Sequence, residues 1–229
     1  MKNIIKTCTI CIFLFLFTNA SSQELPLTFG VKAGVNLSNM YGDTNDADPL
    51  VGFQVGVSVE YLLPQNMFLL SGLELTRKGG KDSAKLNVTD GDGNLLRLEV
   101  EEKLTPMYIQ IPLHVGYKMF VSNSVKMVFH AGPYLAYGIS GKYKNKMKVN
   151  GYEFTDDDFI NELGIKKDGN VFSSNGLKEF DFGLGIAAGA EFGQIVTKIG
   201  YDFGLTNSSD VEDYKLRTRN AYLTLGYNF

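Results

Sequence analysis

The chain has 229 residues, with 22 Lys plus Arg against 25 Asp plus Glu for a net charge of −3. That acidic balance disfavours a nucleic-acid partner, and both cysteines, Cys8 and Cys11, fall in an apolar N-terminal run, so the rest of the chain has no disulfide, thiol chemistry or cysteine metal site. Its 25 glycines, 16 Phe and 12 Tyr, with no Trp, point to strands and turns rather than helices.

The N-terminus reads as an export signal: basic "MKNIIK", apolar "CTICIFLFLF", then small residues "TNASS" suited to cleavage near Ala20 or Ser22. A retained transmembrane helix needs about 20 apolar residues, and Thr18, Asn19, Ser21 and Ser22 end this run too soon. Cys11 is followed by more apolar residues, so lipoprotein cleavage is not expected. The expected organisation is a signal peptide over 1–22 and one β-domain over 23–229.

Alternation then defines eight strands, over 27–38, 51–61, 67–78, 107–118, 125–138, 180–192, 195–205 and 220–229. In the first, Leu27, Phe29, Val31, Ala33, Val35 and Leu37 oppose Thr28, Gly30, Lys32, Gly34, Asn36 and Ser38. In the sixth, "FDFGLGIAAGAEF", an apolar face of Phe180, Phe182, Leu184, Ile186 and Phe192 opposes Asp181, three glycines and Glu191. The connections alternate in length: long at 40–49, 79–103, 139–178 and 206–219, short at 62–66, 120–124 and 193–194. Gly193-Gln194 suits a type II′ turn.

The small or polar face carries Lys32, Lys78, Lys118, Lys126 and Lys198 together with Glu60, Glu74, Asp181, Glu191 and Asp202. Equal numbers of opposite charges suit an enclosed interior, where an unpaired charge is expensive; register through the 193–194 turn sets Lys126 near Glu191. The fold class expected is all-β: an eight-stranded antiparallel up-and-down transmembrane β-barrel with four long extracellular loops and short periplasmic turns, apolar face outward to lipid. Localisation is then the outer membrane.

The segments "FGVKAGVNLSNM", "YIQIPLHVGYKM", "AGPYLAYGISGKY", "FDFGLGIAAGAEF", "YDFGLTN" and "AYLTLGYNF" resemble the PorT-family, porin-like outer-membrane β-barrel domain of Bacteroidota. The resemblance spans nearly the whole mature chain and rests on structural motifs. It implies an eight-stranded barrel with periplasmic termini and carries over no catalytic residues.

Several features remain to be placed. His114 and His130 are the only histidines, inward on neighbouring strands and opposite each other for a hairpin centred near Ser122; hydrogen bonding to neighbours is favoured over a metal site, because no third ligand has a fixed spacing. "DGDGN" at 90–94 with Glu101 imitates calcium-loop positions, but Leu95 stands where glycine is needed, so a β-hairpin turn is favoured. That hairpin extends the third and fourth strands above the membrane, with Ala84, Leu86, Val88, Leu96, Leu98 and Val100 on one face. The third long loop is basic in "KYKNKMK" and acidic in "TDDDFINELG", with Thr155 and Gly164 as caps of a short helix. Pro112 and Pro133 lie inside strands, where bulges are expected. Leu225, Tyr227 and Phe229 form a C-terminal assembly signal on one face of the last strand.

No catalytic residue, metal ligand or cofactor is expected. The reading is a non-enzymatic barrel displaying loops for binding or envelope assembly, with a narrow solute channel or a lipid A-modifying enzyme as alternatives. Expected partners are outer-membrane lipid and lipopolysaccharide, the outer-membrane barrel assembly machinery and a protein at the extracellular loops.

Overall fold

A computed structural model describes residues 26–43, 47–89, 95–150, 152–154, 168–172, 176–211 and 215–229. The signal segment, the 90–94 turn and the 155–167 segment with its helix caps lie outside the described residues. Those described form β1 (Leu27–Gly42), β2 (Asp48–Leu62), β3 (Met67–Arg77), β4 (Gly80–Thr89), β5 (Leu95–Ser122), β6 (Val125–Val149), β7 (Tyr152–Phe154), β8 (Asp168–Asn170), β9 (Phe180–Phe192), β10 (Ile195–Gly204) and β11 (Leu216–Asn228).

Eight of these close a ring in the order β1-β2-β3-β5-β6-β9-β10-β11, and β1 pairs with β11 from Gly30↔Asn228 to Gly42↔Leu216. Every pair is antiparallel, so the fold is the eight-stranded up-and-down barrel. Closure leaves no ring strand with a free edge in the lipid-facing band, which a lipid solvent demands. The apolar faces point outward: Val35 is 57% exposed, Ile199 64% and Leu225 60%. Asn36, Gln54, Glu60, Glu74, Asp181 and Asp202 are buried. This is the inverse of a water-soluble core.

Short turns join the strands at one end. Gly193 has φ +61° while Gln194 keeps negative φ, as a type II′ turn requires, and the turn sets Phe192 opposite Ile195. Between β2 and β3, Gln65 and Asn66 both take φ 61°.

Two local expectations are corrected. Pro112 and Pro133 sit in register, opposite Tyr134 and Leu184, without bulges. Instead the β3–β5 ladder lapses between Ser71↔Leu113 and Glu74↔Gln110 and resumes in the same register, because Pro112 has no N–H to offer. The bulges lie elsewhere, at Met107/Tyr108 and Phe120/Ser122. The β5–β6 turn falls at residues 123–124, past Ser122, and the bulge at Phe120/Ser122 steps the register back by one, so His130 faces Gly116 rather than His114.

At the other end three strands outgrow the ring. β4 pairs with the first half of β5 from Gly80↔Leu104 to Thr89↔Leu95, and β6 follows β5 up to Leu98↔Val149. The basic run of the third loop is therefore strand, not coil. This three-stranded extension stands above the lipid-facing band, and β7 and β8 lie against its β6 edge.

No described residue of the chain covers the outward apolar stripes, so the chain is expected to fold only in detergent or bilayer. Migration on gels should shift on heating, and a soluble refolded monomer without amphiphile would contradict the inside-out arrangement.

Candidate functional site

The interior is built from inward residues of all eight ring strands, and polar contacts fill it level by level. At the periplasmic mouth Lys126 lies directly opposite Glu191, its Nζ 3.9 Å from Oε2 and more than a third exposed to a cavity of about 460 Å³. Glu191 has a closer partner. Lys118 Nζ sits 2.7 Å from Glu191 Oε1 and 2.6 Å from Glu60 Oε2, while Lys198 approaches the other Glu60 oxygen at 3.3 Å. Two carboxylates and two lysines from β2, β5, β9 and β10 thus share one buried network, the arrangement that makes an enclosed charge tolerable.

Phe68, Leu70 and Val128 form a small apolar layer. Beside it His114 Nδ1 and His130 Nδ1 stand 2.8 Å apart, one donating and the other accepting. The pair meets diagonally, since His130 pairs with Gly116, two residues along β5 from His114. Among the described residues no group of three or more His, Cys, Asp or Glu side chains could hold a metal ion. Lys32 pairs with Glu74 at 2.6 Å on the same level.

Asp202 lies deeper and has amide partners: Gln110 Nε2 and Asn220 Nδ2 each donate to its Oδ2 at 3.3 Å. Above it Asp181, fully buried, collects three hydroxyls. Tyr134 and Thr218 each donate to Oδ2 at 3.1 Å and Thr206 donates to Oδ1 at 3.0 Å, while Lys78 Nζ lies 3.7 Å away and 4.5 Å from the centre of the Tyr134 ring.

An apolar cap closes the extracellular end. Met40, Val171, Leu177 and Leu216 form a buried cluster, with Leu104, Tyr143 and Phe172 packed against it. Phe172 stands edge-on to Tyr108 with 5.7 Å between ring centres. It reaches that place because residue 138 is glycine: a Cβ there would lie 2.2 Å from the Phe172 ring.

Outside, the extension carries charges on the face continuous with the lipid-facing surface. Glu101 pairs with Lys81 at 3.2 Å and Lys148 at 2.5 Å, and Glu99 with Lys85 at 3.6 Å. The Lys148 hydrogen bond, aided by Lys81, holds the Glu101 carboxyl below its ordinary range. The opposite face presents Ala84, Leu98 and Val100 on the side of the barrel interior. At the C-terminus Leu225 and Tyr227 point outward, and the Phe229 N–H donates to the Phe29 carbonyl at 2.8 Å, with its ring 71% exposed.

The structure places the ten charges assigned from sequence to the polar face along the lumen. What sequence reasoning passed over is the bridging place of Lys118, the hydroxyl cluster on Asp181 and the cap of Val171, Phe172 and Leu177. The lysine strand did leave a signal, since Lys142, Lys144, Lys146 and Lys148 alternate with Tyr143, Asn145 and Met147.

A family model described as an outer membrane protein beta-barrel domain matches residues 19–210. Similar solved structures include Ail, the attachment invasion locus protein of Yersinia pestis, at 14% identity over 88% of this chain and 98% of that one with a TM-score of 0.39. Neisserial surface protein A matches at 16% identity over 88% and 97%, TM-score 0.41, and OprG from Pseudomonas aeruginosa at 13% over 88% and 95%, TM-score 0.32. No curated protein matches.

The shared network yields a graded prediction. Glu191→Ala removes one of the two carboxylates that hold Lys118 and leaves it Glu60 at 2.6 Å, so it should cost less than the roughly 3–5 kcal/mol of a fully unpaired buried charge, and less again where mouth water reaches it. In double-mutant cycles on urea unfolding in vesicles, Lys118–Glu191 should couple strongly and Lys126–Glu191 by less than about 1 kcal/mol. The reverse order would mean that Lys126, not Lys118, carries the contact.

Proposed function

Since the chain belongs to the outer-membrane protein β-barrel domain family, we propose that it is a non-enzymatic integral outer-membrane barrel, closed to solute flow, that displays its extracellular extension for binding or envelope assembly. The observation that carries this reading is the filled interior. From Lys118 at the mouth to the Asp181 cluster and the cap above it, side chains occupy each level of a lumen that eight strands make only wide enough for side chains.

Such a filling weighs against the narrow channel. The lipid A-modifying alternative requires a serine, a histidine and an acid together at the outer rim, whereas both histidines are buried in the lumen with one ring nitrogen of each engaged by the other. In our reading residues 1–22 are the export signal, the mature chain begins near residue 23, and the quoted strand segments support membership of the PorT-like barrels of Bacteroidota. Leu225, Tyr227 and Phe229 serve as the signal read by the barrel assembly machinery, which their shared outward face supports.

Recording from the refolded barrel in planar bilayers tests closure. No unitary openings are expected, and reproducible openings would replace this reading with the channel. Deletion of Phe229 should sharply lower the amount of protein reaching the outer membrane; normal levels would remove the C-terminal signal.

A further inference from the structure

The outer face of the extension can be read row by row, because directly opposite residues in an antiparallel ladder share a face. Upward from the lipid-facing band the rows are Thr105 with Lys142; Lys81, Lys103 and Lys144; Ser83, Glu101 and Lys146; then Lys85, Glu99 and Lys148. Three lysines side by side repel one another, and nothing in strand pairing calls for them. The acids of this face do not relieve the lower rows evenly: Glu101 engages Lys81 and Lys148, and Glu99 engages Lys85. Lys103, Lys142 and Lys144 are exposed, and none has an ion pair among the described residues, although Asp168 and Asp48 flank the lysine row in register opposite Lys144 and Lys81. On this face four lysines, Lys81, Lys103, Lys142 and Lys144, thus stand against Asp48 and Asp168 in the two rows next to the membrane.

Their height is as informative as their sign. Met107 and Ile139 are the last apolar residues on the outer face of β5 and β6 below the lysine rows. Lys103 is four residues beyond Met107, about 13 Å along the strand and about 10 Å in height for a tilt of 35–45°. The lysines stand at headgroup level on a surface that runs without a break into the lipid-facing wall.

We propose that Lys103, Lys142 and Lys144 form a docking surface for the phosphate groups of lipopolysaccharide in the outer leaflet, so that the extension binds the membrane's own glycolipid. This rests on the reading of the chain as an outer-membrane barrel displaying its extracellular strands, and names a partner for that display. Charge complementarity and continuity with the lipid-facing band select a membrane-borne anion over a soluble one.

The test uses the full mature chain folded in neutral nanodiscs, with bisphosphorylated lipid A, the same lipid without its phosphates, and phosphatidylglycerol as probes. Substituting Lys103→Gln, Lys142→Gln and Lys144→Gln together should weaken retention of bisphosphorylated lipid A at least about tenfold, since each basic residue near a charged surface contributes several-fold. Arg at the three positions should restore it, and removing three remote basic residues at the β11 wall across the ring, Lys215, Arg217 and Arg219, should not reproduce the loss. The proposal is overturned if the remote triple loses as much, if the dephosphorylated lipid is held equally well, or if phosphatidylglycerol binds as tightly. Heat-modifiable migration and closure in bilayers are read on the same variants. A lipid result that fails while those hold defeats the docking surface and leaves the displayed barrel standing.

Discussion

Ring closure is the constraint from which the rest of this molecule follows. In hydrocarbon an unpaired backbone N–H or C=O costs several kcal/mol, and the β1–β11 ladder from Gly30↔Asn228 to Gly42↔Leu216 removes the last two strand edges. Once the sheet is closed, alternate side chains have only two destinations. Those facing lipid must be apolar, and those facing the narrow interior must satisfy one another, since eight strands leave little space for water. Inward charges are accordingly shared: Lys118 between Glu60 and Glu191, Asp181 among Tyr134, Thr206, Thr218 and Lys78. A sequence with an unbalanced inner face could close the same ladders and still fail to bury it.

This polar filling bears on function through what it forbids. Contacts among β2, β5, β9 and β10 hold opposite walls together at the periplasmic end, and the cap of Val171 and Leu177 holds them at the extracellular end. Opening a path would mean breaking several coupled ion pairs in a medium that strengthens each of them. On the function proposed above, what is left for binding is the surface the lumen does not use, the extension and its rim.

The barrel was legible in the sequence because its two signals are strong and mutually checking: period-two alternation repeated eight times, and an inner face with balanced charge. The Lys126–Glu191 register was legible too, because Gly193-Gln194 fixes the hairpin by its turn type. What escaped was whatever depends on more than one strand pair at once. That Lys118 is closer than Lys126 to Glu191 is a matter of reach across the lumen, which alternation does not encode. The His114–His130 contact was placed on the wrong rung because the turn falls at residues 123–124 rather than around Ser122, and nothing in "MFVSNSV" marks which residues turn. The cap lies far in sequence from the residues it covers, and only the space left by Gly138 makes room for Phe172.

A single extra residue decides what the extension presents. Along β6 the outward side chains are odd-numbered up to Tyr137 and Ile139, and even-numbered from Ser140 onward, because Met107 pairs with Ser140 while Tyr108 pairs with Gly138 and Ile139 is left over. Without that bulge, period two would carry Lys142, Lys144, Lys146 and Lys148 to the inner side, above the Asp181 cluster, and would turn Tyr143 and Met147 out to the headgroups. With it, Tyr143 packs on the cap, Met147 is buried, and the lysines join Lys81 and Lys103 on the outer face. The same strand is thus apolar-outward within the lipid and basic-outward above it, and the change of face falls at the level where the solvent itself changes from hydrocarbon to charged headgroup.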